Sequence, residues 1–67
     1  MTLNNLYKTE YNSMPPIIGI YKPDEKGNVG PVFRASADKI LETYGDKEVV
    51  NHKYSTIHFC LIVELKD

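Results

Sequence analysis

The amino-acid sequence predicts a small α+β domain, with one helix on a small antiparallel β-sheet in the order ββαβ and an extra short strand left open. Three features of the chain predict this fold. Two β-rich segments flank a turn-forming stretch, a central segment has apolar residues at helical spacing, and the last segment alternates with a period of two. A chain of 67 residues forms one domain with a thin core.

Residues 1–16 are interpreted as an N-terminal arm and residues 17–67 as the single ββαβ domain. The first stretch is polar with isolated apolar residues, and it ends at Pro15-Pro16, which cannot donate hydrogen bonds to a sheet. We expect the arm either to dock through a few side chains or to stay mobile.

A β-hairpin is predicted over residues 17–34. β-branched and aromatic residues stand on both sides of a turn-forming stretch that runs from Pro23 to Asn28. Within that stretch, Gly27 can adopt a positive φ. Pro31 has no N–H to donate, so the second strand is expected at a sheet edge or at a bulge.

A helix is predicted after Ser36, whose hydroxyl is placed to accept a hydrogen bond from an N–H of the first turn. Gly45 is expected to end the helix in the left-handed conformation. The apolar residues of the helix follow the spacing i, i+3, i+4, i+7, and they are Ala37, Ile40, Leu41 and Tyr44.

The last strand is predicted over Thr56–Leu65, the most hydrophobic part of the chain. One face of this strand is expected to lie under the helix and consists of Ile57, Phe59, Leu61, Val63 and Leu65. The other face carries Cys60 and Ile62, which we expect to form the interface of a homodimer, because a second copy would enlarge a thin core. A short strand over Glu48–Val50, followed by a turn at Asn51-His52-Lys53, is left open.

Charge and composition exclude several classes of protein. Eight basic and nine acidic residues give a formal net charge of −1, so bulk charge does not favour non-specific binding to nucleic acid. No segment approaches the roughly 20 apolar residues of a membrane span, and the first residues lack the features of a signal peptide. The single cysteine, Cys60, cannot close an intrachain disulfide. We therefore expect a cytoplasmic protein with no membrane partner.

The titratable side chains do not form a catalytic or metal-binding pattern. His58 and Cys60 lie two apart on the predicted strand, with His52 in the preceding turn, whereas zinc sites use three or four such ligands. A nucleophile held by a base in a closed pocket is not apparent either. We therefore expect no enzymatic activity, no cofactor and no metal, and we interpret the chain as a protein-binding module.

The alternative from another functional class is a small nucleic-acid-binding or regulatory protein. Stacking on bases needs exposed aromatic residues with basic neighbours, and Tyr7, Lys8 and Tyr11 come closest to this pattern. Glu10 interrupts the group, so direct binding to nucleic acid is the less favoured interpretation.

The order of strand, Asp-and-Gly turn, strand, Ser-capped helix ending in Tyr-Gly, and strand resembles the small dimeric uracil-DNA glycosylase inhibitors of certain short-tailed bacteriophages. The likeness covers residues 17–65. The residues that carry it are Asp24, Gly27, Ser36, Ile40, Tyr44 and Gly45.

The resemblance implies a stoichiometric inhibitor that mimics DNA and acts in the host cytoplasm. In that family the helices of two subunits form an apolar cleft that captures the protruding residue of the glycosylase's DNA-intercalating loop, while flanking carboxylates imitate phosphates. Ile40 and Tyr44 would then line the cleft. The candidate phosphate mimics are Asp38, Glu42 and Asp46, which would face the basic groove of the enzyme.

Overall fold

Two helices and four strands follow one another in the order αββαββ in the computed structural model, which describes residues 1–66. The predicted α+β class is confirmed, whereas the predicted order ββαβ with a single helix is wrong. The elements are α1 (Leu3–Thr9), β1 (Ile17–Pro23), β2 (Val29–Ser36), α2 (Ala37–Tyr44), β3 (Val49–Ser55) and β4 (Cys60–Leu65). Within residues 1–66, neither helix is long and apolar enough to cross a membrane.

The four strands form one mixed sheet in the order β2-β1-β4-β3, not the wholly antiparallel sheet that the sequence predicts. The central strands β1 and β4 are parallel, with Ile17 opposite Cys60 and Ile20 opposite Val63. Each is paired on its outer side with an antiparallel neighbour. The central strands carry the buried residues of the sheet, whereas β3 at the edge is mostly exposed.

The stretch interpreted as an N-terminal arm contains helix α1. The Thr2 hydroxyl accepts a hydrogen bond from the Asn5 N–H at 3.3 Å and so caps the first turn. Leu3, Leu6 and Tyr7 then follow the spacing i, i+3, i+4, and all three side chains are buried in the hydrophobic core. The core therefore draws on the first seven residues as well as on the sheet and α2.

The hairpin between β1 and β2 agrees with its prediction, and its turn is held by one carboxylate. Asp24 accepts hydrogen bonds from the N–H groups of Lys26 at 2.9 Å and Asn28 at 2.8 Å. Gly27 has a φ of 81°, the positive value that the sequence predicts. Strand β2 lies at an edge of the sheet, where a strand containing Pro31 is tolerated.

Helix α2 forms where the sequence predicts it, but both of its ends differ from expectation. The Ser36 hydroxyl makes no capping hydrogen bond, and the Ala37 N–H donates to the Pro16 carbonyl at 2.9 Å instead. Gly45 has a right-handed φ of −57°, so the predicted left-handed stop is wrong. Glycine is needed there because a Cβ atom would clash with the backbone oxygen of Leu41 and would lie 2.5 Å from the side-chain nitrogen of Asn4 on α1.

The last strand begins at Cys60, so its predicted first half is wrong. Strand β3 continues to Ser55, which lies opposite Cys60, and the four residues between them must form the turn. Ile57 and Phe59 were predicted to lie under the helix, yet 83% and 64% of their surfaces are exposed. The turn predicted at residues 51–53 is also wrong, because these residues lie inside β3.

The face of β4 that was expected to meet a second copy is covered within one chain. Cys60 is fully buried and Ile62 is 7% exposed. Gly19 on β1 allows this, since a Cβ atom there would lie 2.6 Å from Cγ1 of Val32 and 3.4 Å from Sγ of Cys60. The homodimer stays a prediction, but these two residues offer it little free surface.

Candidate binding site

A cleft of about 620 Å³ opens beside the C-terminal end of α2, where the parallel strands β1 and β4 end. Side chains from both central strands, from β2 and from the segments after α2 and β4 surround it. The lining residues are Ile20, Tyr21, Lys22, Val32, Phe33, Tyr44, Lys47, Leu65 and Lys66.

Helix α2 is much shorter than strand β2, and the cleft lies beside its C-terminal residue Tyr44. Its eight residues extend about 12 Å, whereas the eight residues of β2 extend about 26 Å. Phe33 on β2 lies opposite Ile20 on β1, and 59% of its surface is exposed. Ile20, Tyr44 and Leu65 pack against the core cluster and are only partly buried, so they form an apolar floor.

Three lysines from separate segments stand at the rim of this floor. Lys22 comes from β1, Lys47 from the turn after α2, and Lys66 from the end of β4. The last two are fixed by their backbones, since the Lys47 N–H donates to the Tyr44 carbonyl at 2.9 Å and the Lys66 N–H donates to the Glu48 carbonyl at 2.8 Å. An apolar floor with a cationic rim is suited to a partner segment that combines an apolar side chain with carboxylates.

The structure separates the two apolar residues that the resemblance places in one cleft. Tyr44 is partly buried and lines the cleft described here, which lies within one chain. Its place in a cleft between the helices of two subunits stays a prediction. Ile40 is 2% exposed and belongs to the core, so it has no surface to offer a partner. Phe33 and Leu65 take its place. Nothing in the sequence pattern indicated them, because the parallel pairing of β1 with β4 brings them together.

The three predicted carboxylates, Asp38, Glu42 and Asp46, are all exposed. The ion pair found among residues 1–66 joins the N-terminal amine to Glu48, so it uses none of the three. Asp38 acts on the core electrostatically. Burial of Tyr7 raises the pKa of its phenol above the ordinary value, and the negative charge of Asp38 raises that pKa further.

The tyrosines of the nucleic-acid alternative are used within the fold. Tyr7 is buried, and its hydroxyl donates to the Pro15 carbonyl. Tyr11 is partly buried, and its hydroxyl lies 2.7 Å from Nδ1 of His52, with the two rings edge to face. The ring of Tyr54 stands 6.3 Å from that of Tyr11. The pKa of Tyr11 is raised by burial and then by the charge of Glu10.

His58 and Cys60 do not share one strand face, since His58 lies in the turn before β4. Nδ1 of His58 lies 3.1 Å from Oγ of Ser55, within hydrogen-bonding distance, and Cys60 is buried. In the part of the chain that the structure describes, no three His, Cys, Asp or Glu side chains come together as metal ligands.

The chain was compared with known proteins, and no protein-family model, curated protein or solved structure matches it.

Proposed function

We propose that the chain is a non-enzymatic protein-binding module that captures an apolar side chain of its partner in the cleft. The observation that carries the proposal is the exposed ring of Phe33 above the apolar floor. A volume of about 620 Å³ lies within the range of specific binding sites. Aromatic residues are also enriched at the centres of protein interfaces, where they contribute much of the binding energy.

The sharper version of the proposal is a stoichiometric inhibitor of uracil-DNA glycosylase. Two features support it: Tyr44 lines an apolar cleft, and the carboxylates Asp38, Glu42 and Asp46 are exposed for contact with a basic groove. The lysine rim of the cleft is the opposing feature, because it would meet like charge in that groove. The geometry therefore supports the general protein-binding function better than the DNA mimic.

A uracil-excision assay tests the inhibitor version. Bacterial uracil-DNA glycosylase is mixed with a uracil-containing duplex and with increasing amounts of this protein. A stoichiometric inhibitor lowers the excision rate in proportion until the two proteins are equimolar. An excision rate that stays the same at molar excess rejects the inhibitor and leaves the general function standing.

Replacing Tyr44 by alanine tests the general function. We expect the partner affinity to fall more than the stability, because the Tyr44 ring is only partly buried and lines the cleft. Affinity capture from a cell extract compares wild type, Tyr44→Ala, Phe33→Ser and the control Lys26→Ala in the hairpin turn. A protein retained by wild type and control but lost with both cleft variants supports the proposal, and identical captured sets contradict it.

A second candidate function, binding of single-stranded nucleic acid, is favoured by one cluster. Tyr11, Tyr54 and His52 lie together beside the edge strand β3. Lys53 is not part of this cluster, since its ammonium lies 6.0 Å from the centroid of the Tyr21 ring. Retention on heparin distinguishes the candidates. A nucleic-acid binder is held at moderate salt and loses retention with Tyr54→Ala, whereas a module that works through the cleft is unaffected by that substitution.

A further inference from the structure

Two lysines at the rim of the cleft, Lys47 and Lys66, are brought together by the backbone. Lys47 precedes Glu48 in sequence, and the Lys66 N–H donates to the Glu48 carbonyl at 2.8 Å. The Lys47 backbone is held twice more, since its N–H donates to the Tyr44 carbonyl at 2.9 Å and its carbonyl accepts from the Leu3 N–H at 3.0 Å. The fold therefore fixes both positions before any partner binds. We call Lys47 and Lys66 the lysine pair.

The positive charge of the lysine pair is not neutralised within residues 1–66. Neither of its ammonium groups forms an ion pair with a carboxylate of that stretch. Glu48, which follows Lys47, pairs with the N-terminal amine instead. Asp46, which precedes Lys47, is exposed and joins no ion pair among the described residues. A carboxylate of a partner that binds at this rim is therefore attracted by both lysines.

The lining of the cleft indicates the chemistry of the partner. Among the described residues that line it, three are lysines and none is Asp or Glu, and the floor is apolar. A negatively charged group is therefore favoured at the rim and an apolar side chain on the floor. A long polyanion such as nucleic acid is less favoured, because the formal net charge of −1 gives it no general attraction elsewhere on the surface.

The cleft also adjoins an open edge of the sheet. Val32 and Phe33 line the cleft and belong to β2, which has a strand neighbour on one side only. The backbone of an edge strand offers hydrogen-bonding groups to an added extended segment. A peptide is therefore able to use this edge and the cleft together, whereas a small apolar acid fills only the cleft.

We propose that the partner binds through an extended acidic segment. Its apolar side chain lies on the floor of the cleft, and its neighbouring carboxylates contact Lys47 and Lys66. This inference rests on the proposed protein-binding function and adds the chemical class of the partner. Burial of the apolar side chain supplies affinity, and the lysine pair discriminates acidic segments from neutral ones.

A nuclear magnetic resonance titration of the isotope-labelled protein tests the proposal. The probe is a peptide with a phenylalanine between two pairs of glutamates, and the matched peptide carries glutamines in their place. We expect the acidic peptide to shift the amide signals of Tyr44, Lys47 and Lys66, and the glutamine peptide to bind about three- to tenfold more weakly. Added salt should weaken the binding of the acidic peptide alone.

Substitutions of the lysine pair separate the effect of charge from the effect of folding. Combining Lys47→Gln with Lys66→Gln removes both charges and leaves the core intact, because both residues are exposed. This variant should bind the two peptides equally. Combining Lys47→Glu with Lys66→Glu should reverse the preference towards a peptide with lysines in place of the glutamates. The matched control is Lys39→Gln on α2, an exposed lysine outside the lining of the cleft, which should bind like wild type.

The proposal is overturned if wild type binds neither peptide, if it binds both equally well, or if the lysine-pair variants keep the preference of wild type. Tighter binding of oligothymidylate or of hexanoate than of the acidic peptide at the same amides also overturns it. These results leave the protein-binding function standing as long as Tyr44→Ala still lowers partner capture. Loss of that effect rejects both.

Discussion

Replacing Leu6 by alanine measures how far α1 supports the fold. Leu6 is 1% exposed and lies in the core cluster. Truncating a buried leucine costs about 2–5 kcal/mol, because the transfer free energy is lost and a cavity remains. At about 0.05–0.15 kcal/mol per residue, a chain of 67 residues has a total stability of roughly 3–10 kcal/mol. The substitution should therefore remove about half of the free energy of unfolding.

Urea unfolding followed by circular dichroism measures this loss, and a thermal melt followed by the same signal measures the change in melting temperature. For a domain of this size, 1 kcal/mol corresponds to about 4–8 °C in the melting temperature, so we expect Leu6→Ala to melt at least about 8 °C lower. The matched control is Asn5→Ala on the exposed side of the same helix, which should melt close to wild type. A Leu6→Ala variant with an unchanged midpoint would show that α1 is a detachable arm and that the core is formed without it.

Two further substitutions test the contacts of α1. Gly45→Ala should cost about 1–3 kcal/mol through overpacking, because its Cβ would clash with the backbone oxygen of Leu41 and would lie 2.5 Å from the Asn4 side-chain nitrogen. An unchanged urea midpoint would contradict this close approach. The raised pKa of Tyr7 implies stability that is complete below the unfolded pKa of 10.0 and is lost as the pH rises through the higher folded value. The urea midpoint should thus fall above about pH 10, and less steeply in Tyr7→Phe; equal slopes would argue against burial of the phenol.

The sequence predicted those elements whose signals are local. The hairpin turn follows from Asp24 and Gly27, and α2 follows from the spacing of its apolar residues. Helix α1 was missed although Thr2, Leu3, Leu6 and Tyr7 carry the same kind of signal. A helix of seven residues is too short for its apolar spacing to be a strong signal. The helix is instead held by hydrogen bonds from its first turn to the segment after α2.

The non-local features could not be predicted in the same way. Apolar residues alternate with a period of two from Ile57 to Leu65, but the first part of this pattern lies in a turn. Ile57 and Phe59 fit the period and are nevertheless exposed. Only the length of β3, which pairs Ser55 with Cys60, shows where the last strand begins. The cleft likewise depends on the parallel pairing of β1 with β4, so no local signal in the sequence indicated it.

Site-specific photocrosslinking tests the central claim, that the chain acts by binding a protein at the cleft. A benzophenone-bearing phenylalanine is placed at Phe33, in the cleft, or at Lys26, in the hairpin turn, and each protein is irradiated in extract of the producing cells. We predict a discrete crosslinked protein from position 33 that is absent from position 26 and weakened by Tyr44→Ala. No crosslinked protein from position 33, or the same products from both positions, would contradict the account.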